Sequence, residues 1–298
     1  MSLTPVLKKG QLILGRWERN KYHIIKHIGK GGNGSVYLVK DNKGALLAMK
    51  ISTDLVGLTC EYRMLVFLKN CQGSGDISVV PQVYEIDDFH INRIVYHYIV
   101  MQYCIGRNLA KFQGRPSAAD AVIIGYRIAG FLSCLHQAGF IFGDLKPDNI
   151  IYDFKNKSLY VVDYGSVCVK GQALKQYTPG YDRANWQAGL RVADEKYDIF
   201  ALGMVLAALT LGKAYTSETH ELDRLFSRIT NGVGNIPLQT IILKALRQEF
   251  VTCAEISFSL AEAQLNVSCD HREVGLFVNA VGITSLMSFI LSVFYYYK

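Results

Sequence analysis

The first third of the chain alternates between hydrophobic and polar residues, with the period of two that is typical of β-strands. Segments with this alternation, or with a β-rich composition, lie at residues 22–28, 35–39, 46–51 and 94–103. Residues 59–68 instead carry apolar side chains at helical spacing around Glu61. The pattern predicts a small lobe that is mainly β, contains one helix and ends near Cys104.

The rest of the chain has the longer periodicity of α-helices. Helical spacing of apolar residues recurs over residues 118–137, 221–229, 240–247 and 255–264. Residues 197–211 are apolar on nearly every side, so we expect a buried helix at the centre of this part. A short hairpin is predicted over residues 150–152 and 160–162, turning at Asn156. The predicted fold class is therefore α+β, with a small β-rich N-lobe and a larger helical C-lobe.

The far C-terminal stretch differs from both lobes. Residues 274–297 are 24 consecutive uncharged residues that end in three tyrosines. At about 1.5 Å per residue, a helix of this length spans roughly 36 Å and can cross a hydrocarbon core of about 30 Å. The tyrosines resemble the aromatic belt of a membrane interface, which favours a single C-terminal transmembrane helix over a buried core helix. Small residues such as Gly275 and Gly282 would let two such helices approach closely in a homodimer.

These elements predict five successive parts of the chain. They are an N-terminal extension at 1–20, the N-lobe at 21–103, the C-lobe at 104–265, a juxtamembrane segment at 266–273 and the transmembrane helix at 274–297. The extension does not have the order of basic, apolar and small residues that marks a signal peptide. We therefore expect the chain to lie in the cell membrane with both lobes in the cytoplasm.

Composition and charge narrow the class of protein. Half of the 298 residues are hydrophobic, which is enough for a sizeable core. The net charge of +7 is concentrated in residues 1–103, where 13 Lys and Arg face 8 Asp and Glu. This excess fits a polyanionic ligand such as a nucleotide, and it equally fits a solvated basic face. The seven cysteines have no C-x-x-C spacing and their number is odd, so neither a zinc site nor a complete disulfide framework is supported. This cysteine usage favours a reducing compartment.

A glycine-rich motif joins the first two predicted strands. Residues 29–36 fit G-x-G-x-x-G-x-V, with the motif positions at Gly29, Gly31, Gly34 and Val36. Glycine is needed where backbone N–H groups approach phosphate oxygens closely, because a Cβ would collide there. The motif leads into a strand, which disfavours a dinucleotide fingerprint. Lys50, which ends the next strand after Ala48, is then expected to contact phosphates, with Glu61 as its ion-pair partner.

Further motifs follow in the chain order of phosphoryl-transfer enzymes. Residues 144–149 have the spacing D-x-K-P-x-N, in which Asp144 would orient a hydroxyl and Lys146 would neutralise a γ-phosphate. Asn149 and Asp163, the latter in Asp-Tyr-Gly at 163–165, would bind metal ions. Asp198 is expected to hold the backbone of this loop, with a plain helix N-cap as the alternative. The order of the motifs makes the prediction specific.

Residues 20–260 resemble the Hanks-type protein kinases in these motifs. Residues 141–149 and 177–183 further resemble compact, sporulation-associated membrane kinases of Gram-positive spore formers. The resemblance implies a two-lobed protein-kinase-like fold, ATP as donor with Mg²⁺ or alternatively Mn²⁺, and protein Ser/Thr hydroxyls as acceptors, in sporulation or DNA-linked signalling. It assigns Thr178 to substrate positioning and Met101 to the gatekeeper position. The residues it assigns to ATP binding are Gly29, Gly31, Gly34, Val36, Ala48, Lys50, Met101 and the hinge residues Gln102, Tyr103 and Cys104.

The chain departs from the family pattern in two motifs. Residues 142–144 read Phe-Gly-Asp instead of His-Arg-Asp, so the arginine that would contact a phosphate on the activation segment is absent. We therefore do not expect phosphorylation of that segment to act as a switch. Residues 183–185 read Arg-Ala-Asn where Ala-Pro-Glu is usual, which removes a buried Glu–Arg pair and leaves the tether of the C-lobe unassigned.

Two alternatives to a protein kinase remain open at this point. A Gly-Asp catalytic loop also occurs in small-molecule phosphotransferases, although the Lys-Pro at residues 146–147 disfavours that class. A pseudokinase scaffold would bind nucleotide without transferring phosphate, but every expected catalytic side chain is present. Residues 253–273 carry one Arg against four acidic residues, so this linker does not support nucleic-acid binding. The sequence favours a membrane-tethered Ser/Thr protein kinase.

Overall fold

The computed structural model of the chain describes residues 5–31, 34–71, 79–174, 176–215 and 221–264. Its N-lobe is a six-stranded antiparallel sheet with the strand order β1-β2-β3-β4-β6-β5. The strands are β1 (Leu12–Leu14), β2 (Lys21–Gly31), β3 (Gly34–Asp41), β4 (Leu46–Ser52), β5 (Val83–Ile91) and β6 (Ile94–Gln102). One helix, α1 (Leu55–Cys71), connects β4 to β5. This is the predicted β-rich lobe with a single helix.

The N-lobe has its own hydrophobic cluster on one face of the sheet. Buried side chains from β1 to β6 form it, among them Ile13, Tyr22, Tyr37, Met49 and Tyr98. Because side chains alternate between faces, Ala48 and Lys50 lie on the opposite face of β4. The register pairs Lys50 with Val36 on one side and Ile99 on the other, which places the lysine in the middle of the sheet.

The segment before β2 packs into the N-lobe rather than standing apart as an extension. Strand β1 pairs with β2, and Tyr37 donates its hydroxyl to the carbonyl of Pro5 at 2.8 Å. The backbone N–H groups of Trp17 and Glu18 donate to the carboxylate of Asp87. From residue 5 onward, the segment predicted as an extension at 1–20 therefore belongs to the lobe by its contacts.

The C-lobe is mainly helical. Its helices are α2 (Ala118–Gln137), α3 (Glu195–Leu211), α4 (Leu222–Gly232), α5 (Ile236–Leu246) and α6 at residues 253–264. Its short strands are β7 (Arg107–Asn108), β8 (Phe140–Ile141), β9 (Ile150–Tyr152), β10 (Leu159–Val161) and β11 (Cys168–Val169). Helix α3 is buried on nearly all sides and packs against α2, α4 and α5, as its uniformly apolar sequence predicts.

Several boundaries differ from those that the pattern predicts. Helix α1 begins at Leu55 instead of residue 59, because the side chain of Asp54 accepts the N–H of Gly57 and caps the first turn. Helix α5 begins at Ile236 instead of residue 240, with Asn235 accepting the N–H of Leu238. Local capping, rather than apolar spacing, determines where both helices start.

Within the described ranges, one helix is long and apolar enough to cross a membrane, namely α2. It has 11 buried residues and packs against α3, which is the placement of a core helix. The predicted juxtamembrane segment at 266–273 and transmembrane helix at 274–297 lie outside the described residues.

Candidate active site

A chain of three charged side chains crosses the cleft between the lobes. Lys50 on β4 donates from Nζ to Oε2 of Glu61 on α1 at 2.6 Å. The same ammonium donates to Oδ1 of Asp163, which follows β10 in the C-lobe, at 2.9 Å. Lys50 and Glu61 are buried, with 6% and 3% of their surface exposed. Each buried charge therefore has an opposite charge beside it, as burial requires.

Electrostatics hold Lys50 as a cation. Burial alone would lower the pKa of Lys50, but the carboxylates of Glu61 and Asp163 outweigh it and raise that pKa. Burial also opposes ionisation of Asp163, yet the charge and hydrogen bond of Lys50 lower its pKa below the ordinary value. Lys50 thus presents a fixed positive charge beside an ionised carboxylate.

The glycine-rich motif lies close to this chain of charges. Its first glycines end β2 and Gly34 begins β3, while residues 32 and 33 lie outside the described ranges. A Cβ on Gly34 would collide with the carbonyl of Ile51, and its φ of 150° disfavours other residues. A Cβ on Gly31 would lie 3.9 Å from Oδ2 of Asp163. The strand ends therefore approach the predicted metal ligand.

A second charged set lies at the catalytic loop. Lys146 donates from Nζ to Oδ2 of Asp144 at 2.7 Å and to Oγ1 of Thr178 at 2.8 Å. Thr178 in turn donates its hydroxyl to Oδ1 of Asp144 at 2.7 Å. The structure thus joins three predicted residues that are up to 34 positions apart in sequence. Both oxygens of Asp144 are oriented by neighbours, so its carboxylate has a defined direction.

The two predicted metal-binding residues supply oxygen donors. Asn149 donates from Nδ2 to the carbonyl of Asp144 at 3.0 Å. Its amide oxygen takes no part in that hydrogen bond. Asp163 has 43% of its side chain exposed and binds Lys50 through one oxygen, Oδ1. Among the described residues, no group of three or more His, Cys, Asp and Glu could hold a metal ion. Amide and carboxylate oxygens suit a hard divalent cation, particularly one that also binds phosphate oxygens.

Asp198 fixes the backbone at the start of the catalytic loop. Its two carboxylate oxygens accept the N–H groups of Phe142 at 2.8 Å and Gly143 at 2.9 Å. The N-cap of α3 is Asp194, so the alternative role of Asp198 as a helix N-cap does not hold. Gly143 has a φ of 81°, and a Cβ there would lie 2.8 Å from Cδ2 of Leu174. This geometry accounts for glycine at the position where the family usually has arginine.

His136 is a residue at this site that the sequence reasoning missed. It lies in the last turn of α2, is buried, and has Nε2 within 2.9 Å of Oδ2 of Asp198. Asp198 therefore has three polar neighbours around one buried carboxylate. A polar residue that ends a strongly apolar helix just before the catalytic loop was the available signal.

The predicted hinge joins the lobes through both backbone and side chains. Met101 pairs with Ala48 at the end of β6, on the face that carries Lys50. The side-chain amide of Gln102 donates to the hydroxyl of Tyr160 at 3.1 Å, and its backbone N–H donates to the carbonyl of Gln82 at 2.7 Å. Tyr103 follows, and Cys104 is buried, which raises the pKa of its thiol to about 12.

Two other ion pairs occur where the usual Ala-Pro-Glu motif would supply a buried Glu–Arg pair. Asp182, one residue before the motif, is fully buried and pairs with Arg191. Arg183 pairs with Asp194, the N-cap of α3, at 2.6 Å. The sequence leaves the tether of the C-lobe unassigned. The Arg183–Asp194 pair connects this segment to the N-cap of α3, and the Asp182–Arg191 pair connects it to the segment that precedes α3.

This geometry agrees with the comparisons with known proteins. A family model described as protein kinase domain matches residues 22–274, and the chain belongs to the protein kinase family. YabT, a serine/threonine-protein kinase of Bacillus subtilis (strain 168), is 33% identical over 268 residues, which cover 88% of this chain and 77% of that protein. PknG, a serine/threonine-protein kinase of Mycolicibacterium smegmatis, is 31% identical over 218 residues, covering 70% of this chain and 27% of that protein.

A solved structure, that of vaccinia related kinase 3, shares the fold with a TM-score of 0.67 and 13% identity, covering 89% of this chain and 93% of that one. Together with the family match, it confirms the predicted two-lobed kinase fold. The sequence relatives confirm the predicted class, an ATP-dependent serine/threonine protein kinase of the Hanks type. Members of this class use ATP with a divalent metal ion.

Proposed function

We propose that this protein transfers the γ-phosphate of ATP to serine and threonine hydroxyls of proteins through the two charged sets described above. The observation that carries the proposal is their arrangement around one cleft. Lys50, Glu61 and Asp163 form one set, with the interlobe contact at 2.9 Å. Asp144, Lys146 and Thr178 form the other, with contacts of 2.7 to 2.8 Å. The first set suits a nucleotide and the second suits an acceptor hydroxyl.

On the nucleotide side, Lys50 has the role of contacting the α- and β-phosphates. Glu61 holds the ammonium in place from α1, so the positive charge is oriented before nucleotide binds. The glycines at positions 29, 31 and 34 give phosphate oxygens access to backbone N–H groups. Val36, Ala48 and Met101 would contact the adenine, and the backbone of residues 102–104 would hydrogen-bond its edge.

On the acceptor side, Asp144 has the role of orienting the attacking hydroxyl and accepting its proton. Lys146, which already contacts Asp144, would neutralise charge on the transferred phosphoryl group. Thr178 bridges these two side chains and so sets their mutual position. Asp198 keeps the loop backbone in place through its bonds to the N–H groups of Phe142 and Gly143. Positioning and charge stabilisation supply the catalysis in this mechanism.

Asn149 and Asp163 are the residues that would hold the divalent metal, which we propose to be magnesium with manganese as an alternative. Such an ion neutralises charge on the β- and γ-phosphate oxygens when it is bound. The chain itself keeps Asp163 ionised through Lys50 and directs the Asn149 amide toward the loop carbonyl of Asp144.

We further propose that residues 274–297 anchor the protein in the cell membrane as a single span, with both kinase lobes in the cytoplasm. The uncharged length of this run and its terminal tyrosines support the anchor. Cys60, Cys104, Cys134 and Cys253 form no disulfide, which fits a reducing compartment. Small residues in the run support association of two chains in the membrane as a homodimer.

The test of the catalytic proposal is transfer of labelled γ-phosphate from ATP by the full chain to itself and to a generic protein acceptor. We expect label on Ser or Thr that depends on Mg²⁺ and is abolished by Lys50→Ala and Asp163→Asn. Lys170→Ala, which removes an exposed ion pair with Glu195, should leave transfer unchanged. Nucleotide binding without any transfer would contradict the proposal and favour the pseudokinase. Transfer to a small molecule but not to protein would favour a small-molecule phosphotransferase.

A further inference from the structure

The segment that carries Thr178 is held by an arginine outside the kinase motifs. Arg191 donates from Nε and Nη2 to Oδ2 of Asp182, at 2.9 and 2.5 Å. Its Nη2 also donates to Oδ1 of Asn185 at 2.7 Å. The guanidinium carbon lies 3.7 Å from the ring centroid of Tyr177. One side chain therefore contacts residues on both sides of Thr178.

Asp182 is the buried partner of Arg191 and is itself held by the C-lobe. Its side chain is fully buried, and its second oxygen, Oδ1, accepts the Tyr197 hydroxyl at 3.0 Å and the N–H of Ala184 at 3.1 Å. Burial raises the pKa of Tyr197, and the charge of Asp182 raises it further, so this hydroxyl stays protonated and donates. Because Tyr197 lies in the first turns of α3, Asp182 and Arg191 connect to the most buried helix of the C-lobe.

Tyr177 is the second side chain that Arg191 holds, on the N-terminal side of Thr178. It has 40% of its surface exposed and immediately precedes Thr178, whose hydroxyl bonds Asp144 at 2.7 Å. A guanidinium stacked on an aromatic ring is attracted to the ring face by the ring's quadrupole. The short helix Pro179–Tyr181 lies between Thr178 and Asp182. Holding Tyr177 at one end and Asp182 at the other leaves Thr178 little freedom to move away from Asp144.

We propose that Arg191 is a positioning residue of the phosphotransfer site, which holds Thr178 against Asp144 by binding Asp182 and the ring of Tyr177. This inference rests on the proposed roles of Asp144 and Thr178. It explains how the chain orders its acceptor-binding segment although residues 183–185 lack the usual glutamate. Lysine cannot replace this arginine fully, because only the planar guanidinium both stacks on a ring and donates several bonds.

The test compares variants of the full chain in phosphotransfer to a protein acceptor. We expect Arg191→Ala to lower kcat/KM for the acceptor about tenfold or more, as displacement of a positioned group does. The Kd for ATP, set mainly by the N-lobe contacts, should change less than about twofold. Arg191→Lys should recover only part of the activity. Tyr177→Phe should retain it, while Tyr177→Ala should lose several-fold.

A double-mutant cycle between Arg191 and Tyr177 tests whether the two residues act together. A general loss of stability would not produce this dependence of one substitution on the other. If Arg191 acts partly through the ring, Tyr177→Ala should cost little more in a chain that already carries Arg191→Ala. The matched control is Lys170→Ala, which removes an exposed cation that pairs with Glu195 near the same end of α3. Should Arg191→Ala fail to fold, Tyr177→Ala and Arg191→Lys carry the test, because both keep a positively charged side chain beside the buried carboxylate of Asp182.

Unchanged acceptor kcat/KM in a folded Arg191→Ala variant would overturn the inference. So would an equal loss in acceptor kcat/KM and in ATP affinity, which would indicate a general loss of structure. Asp144→Asn and Thr178→Ala belong in the same assay. If these two variants retain full activity, the proposed roles of the site itself are wrong; if they lose activity while the Arg191 and Tyr177 variants do not, only the inference about Arg191 fails.

Discussion

At the scale of single residues, the buried pair of Lys50 and Glu61 makes the sharpest prediction. Glu61→Ala leaves the ammonium of Lys50 buried with Asp163 as its remaining carboxylate partner. Removing one partner of a buried pair costs about 3 kcal/mol or more, so we expect a loss of about that size in the free energy of unfolding. Phosphotransfer should fall with it, because the lysine loses its orientation. Urea unfolding and a kinase assay on the same preparation would measure both.

The matched control for that substitution is Glu221→Ala on the C-lobe surface. Glu221 is exposed and pairs with Arg224 at 3.7 Å, a geometry that contributes little to stability. We expect the free energy of unfolding and the activity to stay at their original values. A loss of stability as large as that of Glu61→Ala would show that the substitution at Glu61 acts through something other than its buried charge.

The hinge thiol gives a second prediction at this scale. Burial raises the pKa of Cys104 to about 12, so the thiol is protonated at about pH 8 and is a poor nucleophile. Cys60 and Cys134 are exposed and therefore accessible to reagent. In the folded protein, iodoacetamide should label Cys60 and Cys134 well before Cys104, as mass spectrometry of peptides would show. Urea should remove the difference, and early labelling of Cys104 in the native protein would contradict its burial.

At the scale of elements, the contact between the N-terminal segment and β5 depends on a glycine. A Cβ on Gly15 would collide with the carboxylate of Asp87 and the hydroxyl of Tyr98. Asp87 accepts the N–H groups of Trp17 and Glu18, so moving it would loosen the segment. We expect Gly15→Ala to destabilise the protein by about 2 kcal/mol, as overpacking typically does. Thermal unfolding would measure the change.

Gly130 in α2 is the control for that prediction. Beyond the neighbouring residues and backbone of its own helix, a Cβ there meets no described atom within 4 Å, and alanine is a better helix former than glycine. Gly130→Ala should therefore raise the melting temperature, whereas Gly15→Ala should lower it. If both substitutions raised it, the close approach of Gly15 to Asp87 and Tyr98 would not exist in solution.

Strand β5 shows where sequence reasoning fails at this scale. Its core-facing positions include Glu85 and Asp87, which are buried, so the alternation of apolar and polar residues is broken and no strand was predicted. These carboxylates are tolerated because other segments satisfy them. Glu85 accepts the hydroxyls of Tyr22 and Tyr98 at 2.8 and 2.6 Å. Such partners lie far away in sequence, and no local pattern reveals them.

The candidate site, unlike β5, is predictable from the sequence, because its catalytic residues lie in short motifs. Lys50, Asp144, Lys146 and Asp163 are predicted from spacing and order. The structure pairs Lys50 with Glu61 and places Lys146 beside Thr178, as expected, and it adds the contacts of Asp163 with Lys50 and of Asp144 with Lys146. The pair of Asp182 and Arg191 was not predicted, since its contact depends on the folded path of residues 182–191. Motifs indicate the groups that perform the chemistry, whereas the supporting contacts follow from packing.

At the scale of the whole molecule, the two lobes share a hydrophobic core that includes residues of α1 and α2. Polar contacts also join the lobes at the cleft. Lys50 reaches Asp163, and Gln102 reaches Tyr160 at 3.1 Å. Gly106, just after the hinge, has a φ of 146°, and a Cβ there would lie 2.8 Å from the carbonyl of Tyr152. The connection between the lobes is therefore close-packed at one edge, while an ion pair bridges the cleft. Ligands that bind Lys50 or Asp163 would alter one of the contacts that join the lobes.

The proposed membrane anchor gives the last prediction, which concerns the whole chain. Full-length protein with a reporter at its N-terminus should sediment with membranes and resist extraction by alkaline carbonate. A chain ending at Gln264, the last described residue, should remain in the soluble fraction. Leu286→Lys places a charge near the middle of the run at 274–297, where insertion costs about 3 kcal/mol, and should reduce membrane association. Leu286→Ala is the matched control and should stay with the membranes. Recovery of the full chain in the soluble fraction would contradict the anchor and leave the kinase assignment intact, since that assignment rests on residues 22–274.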